Sequence, residues 1–330
     1  MRYDPAILRQ QIFAALPPGL VVSEHTEKEH FYRVHSLVNG IVTVAESDPL
    51  YPSVTGELQI LKDEGLINFK MNRSLEYIFA NFKSFTDENI MDQLAKAEQM
   101  PADIFVDAGD VGTRIHDIRE LIFSAWIETG SRPADFFSFI PAHDPDVRVQ
   151  SAIAALDKFC TERCYIPVVT ELKVYSHEIK KAGTLDDIGL MRAVVRPGDP
   201  LCTHSELNLE GKQESIILQD PNSNFDRCPK CDAKWRWELT LLDLKSSNRF
   251  KDSYFFQVAM YFKFFRTLTG IKPDRSLILK ISKEDRTYKL EDLKRPIKIA
   301  QYIKSIVKVN EGMAFIKTLR KDNQKKVIQL

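Results

Sequence analysis

The stretch WELTLLDLKSS (237–247) ends an apolar run with an acid and a base. Side chains alternate along an extended strand, so Leu239, Leu241, Asp243 and Lys245 share one face. Two apolar positions are followed, in line, by a carboxylate and an ammonium. Such a pair serves either as a structural ion pair or as a metal ligand beside an amine that assists a reacting phosphate. Three other places carry comparable polar chemistry. His116 and Glu120 are four apart in a helical segment and are neighbours on one face. Glu171 lies within IPVVTELKVYS (166–176), on one face with Val169 and Lys173. GTLDD places Asp186 just after a Gly-Thr, with Asp187 directed the opposite way. An acid in the middle of a strand is disfavoured unless it is paired or coordinating. Three on consecutive strands, with a lysine beside the last, point to a shared task.

The elements that must position these groups are legible in outline. DVGTRIHDIRELIFSAWIE (110–128) has the strongest helical periodicity, with Ile115, Ile118, Ile122 and Trp126 as its buried stripe. Residues 166–176, 183–195 and 237–245 are β-branched or Leu-rich runs bounded by turn signals. A helix over 253–268, a strand over 276–282 and a helix from about 294 follow. On the 253–268 helix, Gln257 and Tyr261 are one turn apart beside Tyr254 and form a polar-aromatic strip. Phe255, Ala259 and Phe262 read as core. Helix, three strands, helix, strand implies α/β layering with a central sheet between helices. Upstream, residues 1–50 mix a short helix with strand-like HFYRV and GIVTVAE. Residues 51–67 read as a helix capped by Ser53 or Thr55 and closed at Gly65. NRSLEYIFANF and DENIMDQLAKAEQM continue as separate helices. No repeat or Gly/Ser linker divides the chain, so a single domain over 1–330 is expected.

The chain has 330 residues, 44% hydrophobic and 28% charged, enough for a substantial core. No apolar run reaches the roughly 18–20 residues needed to span a bilayer. Pro17 and Pro18 interrupt the apolar start, which reads as mature protein in a cytoplasmic compartment. Five cysteines, an odd number, do not suggest a disulfide framework. CPKC offers Cys228 and Cys231, and upstream CTH offers Cys202 and His204. Together they make a candidate tetrahedral Zn²⁺ site, free thiols being the alternative. Cys160 and Cys164, four apart, read as packing residues. Net charge is zero, yet residues 271–330 hold 16 Lys and Arg against 7 Asp and Glu. That imbalance fits a surface that grips a polyanion beside an acid-lined metal site, or a solvated basic helix with no partner.

In order, GTRIHDIRE, ELKVYSHEIKKAGTLDDIG, LLDLKSS and FFQVAMY resemble the motif series of the RecB-like branch of the PD-(D/E)XK nuclease superfamily. That series is G-x-x-x-H on a helix, Glu on a strand, G-x-x-D, D-x-K, then Q-x-x-x-Y on the next helix. YPSVTGEL…GLINFKMNRSLEYI is similar to the N-terminal helical region of phage- and mobile-element-encoded members, and the resemblance covers roughly residues 50–280. It implies a restriction-endonuclease-like core, a mixed sheet flanked by helices, over 106–282. An N-terminal strand and helical region (1–105), a Cys-containing insertion (192–234) and a basic helical segment (283–330) surround that core. It implies that His116, Asp186, Asp243 and the backbone carbonyl of Leu244 hold Mg²⁺ or Mn²⁺. Lys245 would orient a water or neutralise charge on the phosphate. Glu171 would be an outer ligand or an orienter of Lys245, and Glu120 would fix the His116 ring. Gln257 and Tyr261 would support Lys245 or touch the nucleic-acid strand. The implied activity is a metal-dependent deoxyribonuclease, an exonuclease on single-stranded or end-containing DNA in recombination, repair or phage replication. A non-catalytic nucleic-acid-binding protein on the same fold is the alternative. No G-x-x-x-x-G-K-[ST] loop occurs, so an unwinding partner, a helicase or recombination protein, would be a separate chain. Asp186 and Asp243 are 57 positions apart, longer than the family spacing, which makes the intervening segment an inserted hairpin or small lobe. G-T-L-D also replaces the Pro-Asp of the superfamily name.

Overall fold

A computed structural model describes residues 4–25, 30–38, 41–43, 48–58, 64–142, 144, 146–192, 237–247, 250–294 and part of 296–311. Helix α1 (Pro5–Ala15) starts at Asp4, whose carboxylate accepts from the amides of Ala6 at 2.9 Å and Ile7 at 3.2 Å. Strands β1 (Gly19–His25) and β2 (His30–Val38) pair antiparallel. The short β3 (Ile41–Thr43) and β4 (Leu50–Pro52) both line the other edge of β2. Ser53 caps α2 (Val54–Glu57) by accepting from the amide of Thr55, as expected of that serine. Helices α3 (Glu64–Asn81), α4 (Ile90–Thr129) and α5 (Val147–Glu162) follow. The main sheet then forms from β5 (Ile166–Ser176), β6 (Lys181–Arg192) and β7 (Trp237–Lys245), followed by α6 (Asp252–Thr269), β8 (Arg275–Ile281) and β9 (Tyr288–Asp292). Residues 296–302 are again helical, in keeping with a helix from about 294.

Two expectations about the N-terminal half are corrected. Gly65 does not close a helix: α3 runs from Glu64 through Gly65 to Asn81. The segments from 90 to 100 and 110 to 128 are not separate helices but one α4 of 40 residues, with Pro101 inside it. Proline removes one intrahelical hydrogen bond and usually ends a helix. Here Pro101 is buried, and packing against the neighbouring α3 holds the helix through it.

The sheet order is β5-β6-β7-β8-β9. All neighbours are antiparallel except β7 and β8, which α6 connects in a parallel β-α-β crossover. Every residue of β7 up to Leu244 is buried, as befits an inner strand covered on both faces. The expected stripe Ile115, Ile118, Ile122 and Trp126 is buried against α5 and the sheet. Each fully buried side chain of this kind contributes about 1.5–3 kcal/mol. Helices α4, α5 and α6 all pack on the sheet, which makes the architecture mixed α/β. Strands β4 and β9 carry no strong sequence pattern and are additions to the expected layout.

β6 pairs with β7 from Arg192–Trp237 to Asp187–Leu242 and no further. Within this sheet, residues 181–185 of β6 continue against β5, while residues 243–245 of β7 continue against β8. The two strands therefore fork, and the fork opens beside Asp186 and Asp243. Among the described residues, no helix is long and apolar enough to cross a membrane. Cys202, His204, Cys228 and Cys231, and with them the insertion, lie outside the described residues. Cys160 and Cys164 are buried, as packing residues would be, although α5 ends before Cys164.

Candidate metal centre

Four elements deliver side chains into the fork. From β6, Asp186 turns its carboxylate across the gap and accepts the amide of Leu244 at 2.7 Å, taking the place of the ladder bond that the fork removes. A strand residue's N–H and C=O point to the same side, so the Leu244 carbonyl projects from the edge that faces Asp186. From α4, His116 Nδ1 lies 4.0 Å from Asp186 Oδ2. From β5, Glu171 stands where the ladder opposite Asp186 is interrupted, between the Thr170–Asp187 and Leu172–Leu185 pairs. Its φ of 51° is in the left-handed region, rare for a residue with a side chain and a recurrent mark of functional sites. Donor atoms of His116, Glu171 and Asp186 lie within 4.8 Å of one another, close enough to share one cation. The structure thus puts Glu171 in the three-residue group where Asp243 was expected.

Asp243, from β7, is fully buried next to this group. Lys245 Nζ sits 2.8 Å from its Oδ2 and 5.2 Å from the centre of the Tyr254 ring. Apart from that ion pair, neither carboxylate oxygen of Asp243 accepts a hydrogen bond among the described residues. A buried carboxylate left with so little is costly unless another positive group completes it.

The electrostatics are those of a crowded acidic pocket. Burial is the largest influence on His116 and drives its pKa down to about 4, so the ring is neutral near pH 7 and has a lone pair to give. Burial would raise Asp186, but His116, Arg119 and Lys245 outweigh it and hold the carboxyl below its ordinary range. Burial pushes Asp243 up, against the pull of Lys245. Glu171 rises to about 7 and Asp187 to about 6, burial being the main cause in both, with Arg119 opposing it. Burial alone would lower the Lys245 ammonium; Asp243 and Asp186 reverse that and keep it charged.

One expected role changes. Glu120 is exposed, and among the described residues no hydrogen bond or ion pair joins it to His116, because the i+4 position turns toward solvent. The residue that matters is Arg119, at i+3 and wholly buried. Its guanidinium binds Asp187 at 2.6 Å and also Glu171, tying α4 to β5 and β6 at once. Asp187 was expected to face away from Asp186, yet the same helix reaches both. Tyr261 is buried, accepts from Gln257 Nε2 at 3.0 Å and packs its ring against Gly183. Of the polar-aromatic strip, Tyr254 is the member that meets Lys245.

The motif glycines are explained by close approach. A Cβ on Gly112 would lie 3.2 Å from Ser246 Oγ, where α4 passes the end of β7. A Cβ on Gly183 would lie 2.6 Å from the Tyr261 ring. Gly183→Ala is therefore expected to lower stability by about 1–3 kcal/mol, because the buried ring has nowhere to swing. Urea denaturation measures this; an unchanged midpoint would show that the ring yields.

A groove of about 1320 Å³ opens onto His116 and Lys245, running between α3, the middle of α4 and the turn after β7. Its charged lining is Arg73, Lys245, Lys251 and Lys283, and no carboxylate lines it among the described residues. A cationic channel thus leads to an acidic floor. Sequence reasoning missed Arg119 and the groove. For Arg119 the available signal was its i+3 spacing from His116 on the helix face that also carries the apolar stripe. Set against known proteins, the chain matches no family model and no characterised protein closely enough to lend it a function.

Proposed function

We propose that the protein is a metal-dependent nuclease with a restriction-endonuclease-like core, hydrolysing phosphodiester bonds in DNA that is single-stranded or has free ends. The observation that carries this reading is convergence. His116, Glu171, Asp186, Asp243 and Lys245 come from one helix and three strands and meet in a single strand fork, in the order of the RecB-like motif series. The donor set fits a hard divalent ion: carboxylate oxygens with one neutral imidazole suit Mg²⁺ or Mn²⁺. His116, Glu171 and Asp186 would hold it, with Asp243 and the Leu244 carbonyl adjacent, and it would supply Lewis-acid polarisation of the phosphate and acidification of water.

The chain's own groups do the rest. The Leu244 amide fixes the Asp186 carboxylate, and Arg119 fixes Glu171, so neither ligand must be ordered when substrate arrives. Asp243 and the Tyr254 ring hold the Lys245 ammonium at the end of the cationic groove. There it meets a phosphate oxygen and stabilises the charge that grows as the phosphodiester is attacked. A binding protein would have little use for buried carboxylates beside a phosphate path, since they repel it.

The test uses purified protein with end-labelled linear and circular DNA, single- and double-stranded, in Mg²⁺, Mn²⁺ or EDTA, beside Asp243→Asn. Cleavage is expected from the wild type in the metal lanes and from nothing else. Identical behaviour of wild type and variant in every lane rejects the enzyme; binding in all lanes with cutting in none selects the non-catalytic alternative.

A further inference from the structure

Phe69 on α3 and Phe105 on α4 pack against each other in the lining of the groove, their ring centres 5.2 Å apart at an interplanar angle of 49°. Phe105 remains 39% exposed. Both rings carry a cation: Arg73 lies 5.2 Å from the centre of Phe69, and Lys70 lies 5.9 Å from that of Phe105. Aromatic rings interleaved with cations along a channel whose described lining holds no carboxylate are the chemistry that grips a nucleic-acid strand by its bases and phosphates together.

We infer that Phe69 and Phe105 form a base-stacking subsite for single-stranded DNA, upstream of the metal centre in the same groove. The inference rests on the nuclease reading and adds a substrate preference to it. A base within a duplex already has both faces stacked, so a ring pair of this kind rewards an unpaired base and gives a duplex nothing. The helix supplies a ruler. Phe105 and His116 are eleven residues apart on α4, about 16 Å at 1.5 Å per residue. At the ~3.4 Å per nucleotide of a stacked strand this is about five nucleotides, and about three if the strand is stretched. The stacked base therefore lies about three to five nucleotides from the phosphate at Lys245.

The test measures equilibrium binding of a fluorescent single-stranded oligonucleotide, and of a duplex of the same length, in EDTA at fixed salt. The proteins are wild type, Phe105→Leu, Phe69→Leu/Phe105→Leu and Phe105→Trp. Leucine keeps apolar contact between α3 and α4, and thermal melts by circular dichroism establish that each variant is folded. Single-strand affinity is expected to fall roughly 5- to 100-fold in the double leucine variant, the value of losing base–aromatic stacking. Duplex affinity should stay within two-fold, and Phe105→Trp should retain single-strand binding. In wild type, an abasic nucleotide walked along the oligonucleotide should weaken binding most at one position, and cleavage in Mn²⁺ should map about three to five nucleotides from it. Leucine variants that bind both DNAs like the wild type, or that lose both equally, overturn the subsite while leaving nuclease activity to stand on its own lanes. A wild type that needs Phe105 for single strands but never cleaves keeps the subsite and removes the nuclease reading.

Discussion

Lys245→Ala is expected to slow metal-dependent cleavage by roughly 10²–10³-fold while leaving single-strand affinity nearly unchanged. Among the described residues the ammonium is one of four cations lining the groove, so deleting it removes a small share of the phosphate attraction. Its share of the chemistry is larger, because it is the cation held at the acidic end, 2.8 Å from Asp243 and over the Tyr254 ring. A charge that is already fixed needs no reorganisation when negative charge grows on the phosphate, which is where electrostatic catalysis gains most. Loss of the amine also strips Asp243 of its partner. Burial already pushes that carboxyl upward, so near neutral pH it can take a proton instead of unfolding the site. Lys245→Met isolates the charge, since it keeps the apolar stem; it should be as slow as alanine. Lys245→Arg should rescue poorly, because a planar fork differs in length and donor geometry from an ammonium. Single-turnover cleavage with saturating protein, beside a thermal melt, reads all three. Cleavage by Lys245→Met within two-fold of wild type would remove Lys245 from the reaction and reduce the pair with Asp243 to a structural one.

How much of this was open to sequence reasoning depends on whether the signal was local. The run LTLLDLK declares an inner strand through its own apolar pattern, and the stripe Ile115–Ile118–Ile122–Trp126 declares the face of α4, so both were legible. Asp186 and Asp243 were legible as anomalies, because strand interiors rarely carry acids. The fork that makes them neighbours was not, since pairing that stops at Asp187–Leu242 is a property of two strands far apart in sequence. Helix boundaries failed for a related reason. Pro101 and Gly65 are local stop signals, and tertiary packing of α3 on α4 overrides them. Arg119 was hidden by type: arginine is among the residues least often fully buried, so a helix pattern assigns it to solvent. Tyr254 was seen beside Gln257 and Tyr261, but its distance to Lys245 is a tertiary fact.

Arg119→Met is expected to cost about 3–5 kcal/mol of stability. Methionine fills much of the same volume and keeps the apolar stem, so the loss is not a cavity effect. It comes from leaving Asp187, fully buried, and Glu171 without the guanidinium that both share. Burial would lower Arg119, but Asp187, Asp186 and Glu171 together outweigh that and hold it above its ordinary value, so it is charged whenever the protein is folded. Arg119→Lys should recover little, because one ammonium cannot reach two carboxylates that the planar fork bridges from opposite nitrogens. The decisive comparison is Arg119→Met with Asp187→Asn. If the penalty is an uncompensated charge, removing that charge should restore a substantial part of it, and the two substitutions will be non-additive in a denaturation cycle. Additive losses would mean that Arg119 acts through packing alone. Cleavage separates the structural role from the positioning one. With Glu171 no longer held by the guanidinium, the restabilised double variant should still cleave slowly and require more Mn²⁺ than wild type. A double variant that regains stability and full activity together would show that Glu171 needs no orientation from α4, and that the metal group is assembled by the strand fork alone.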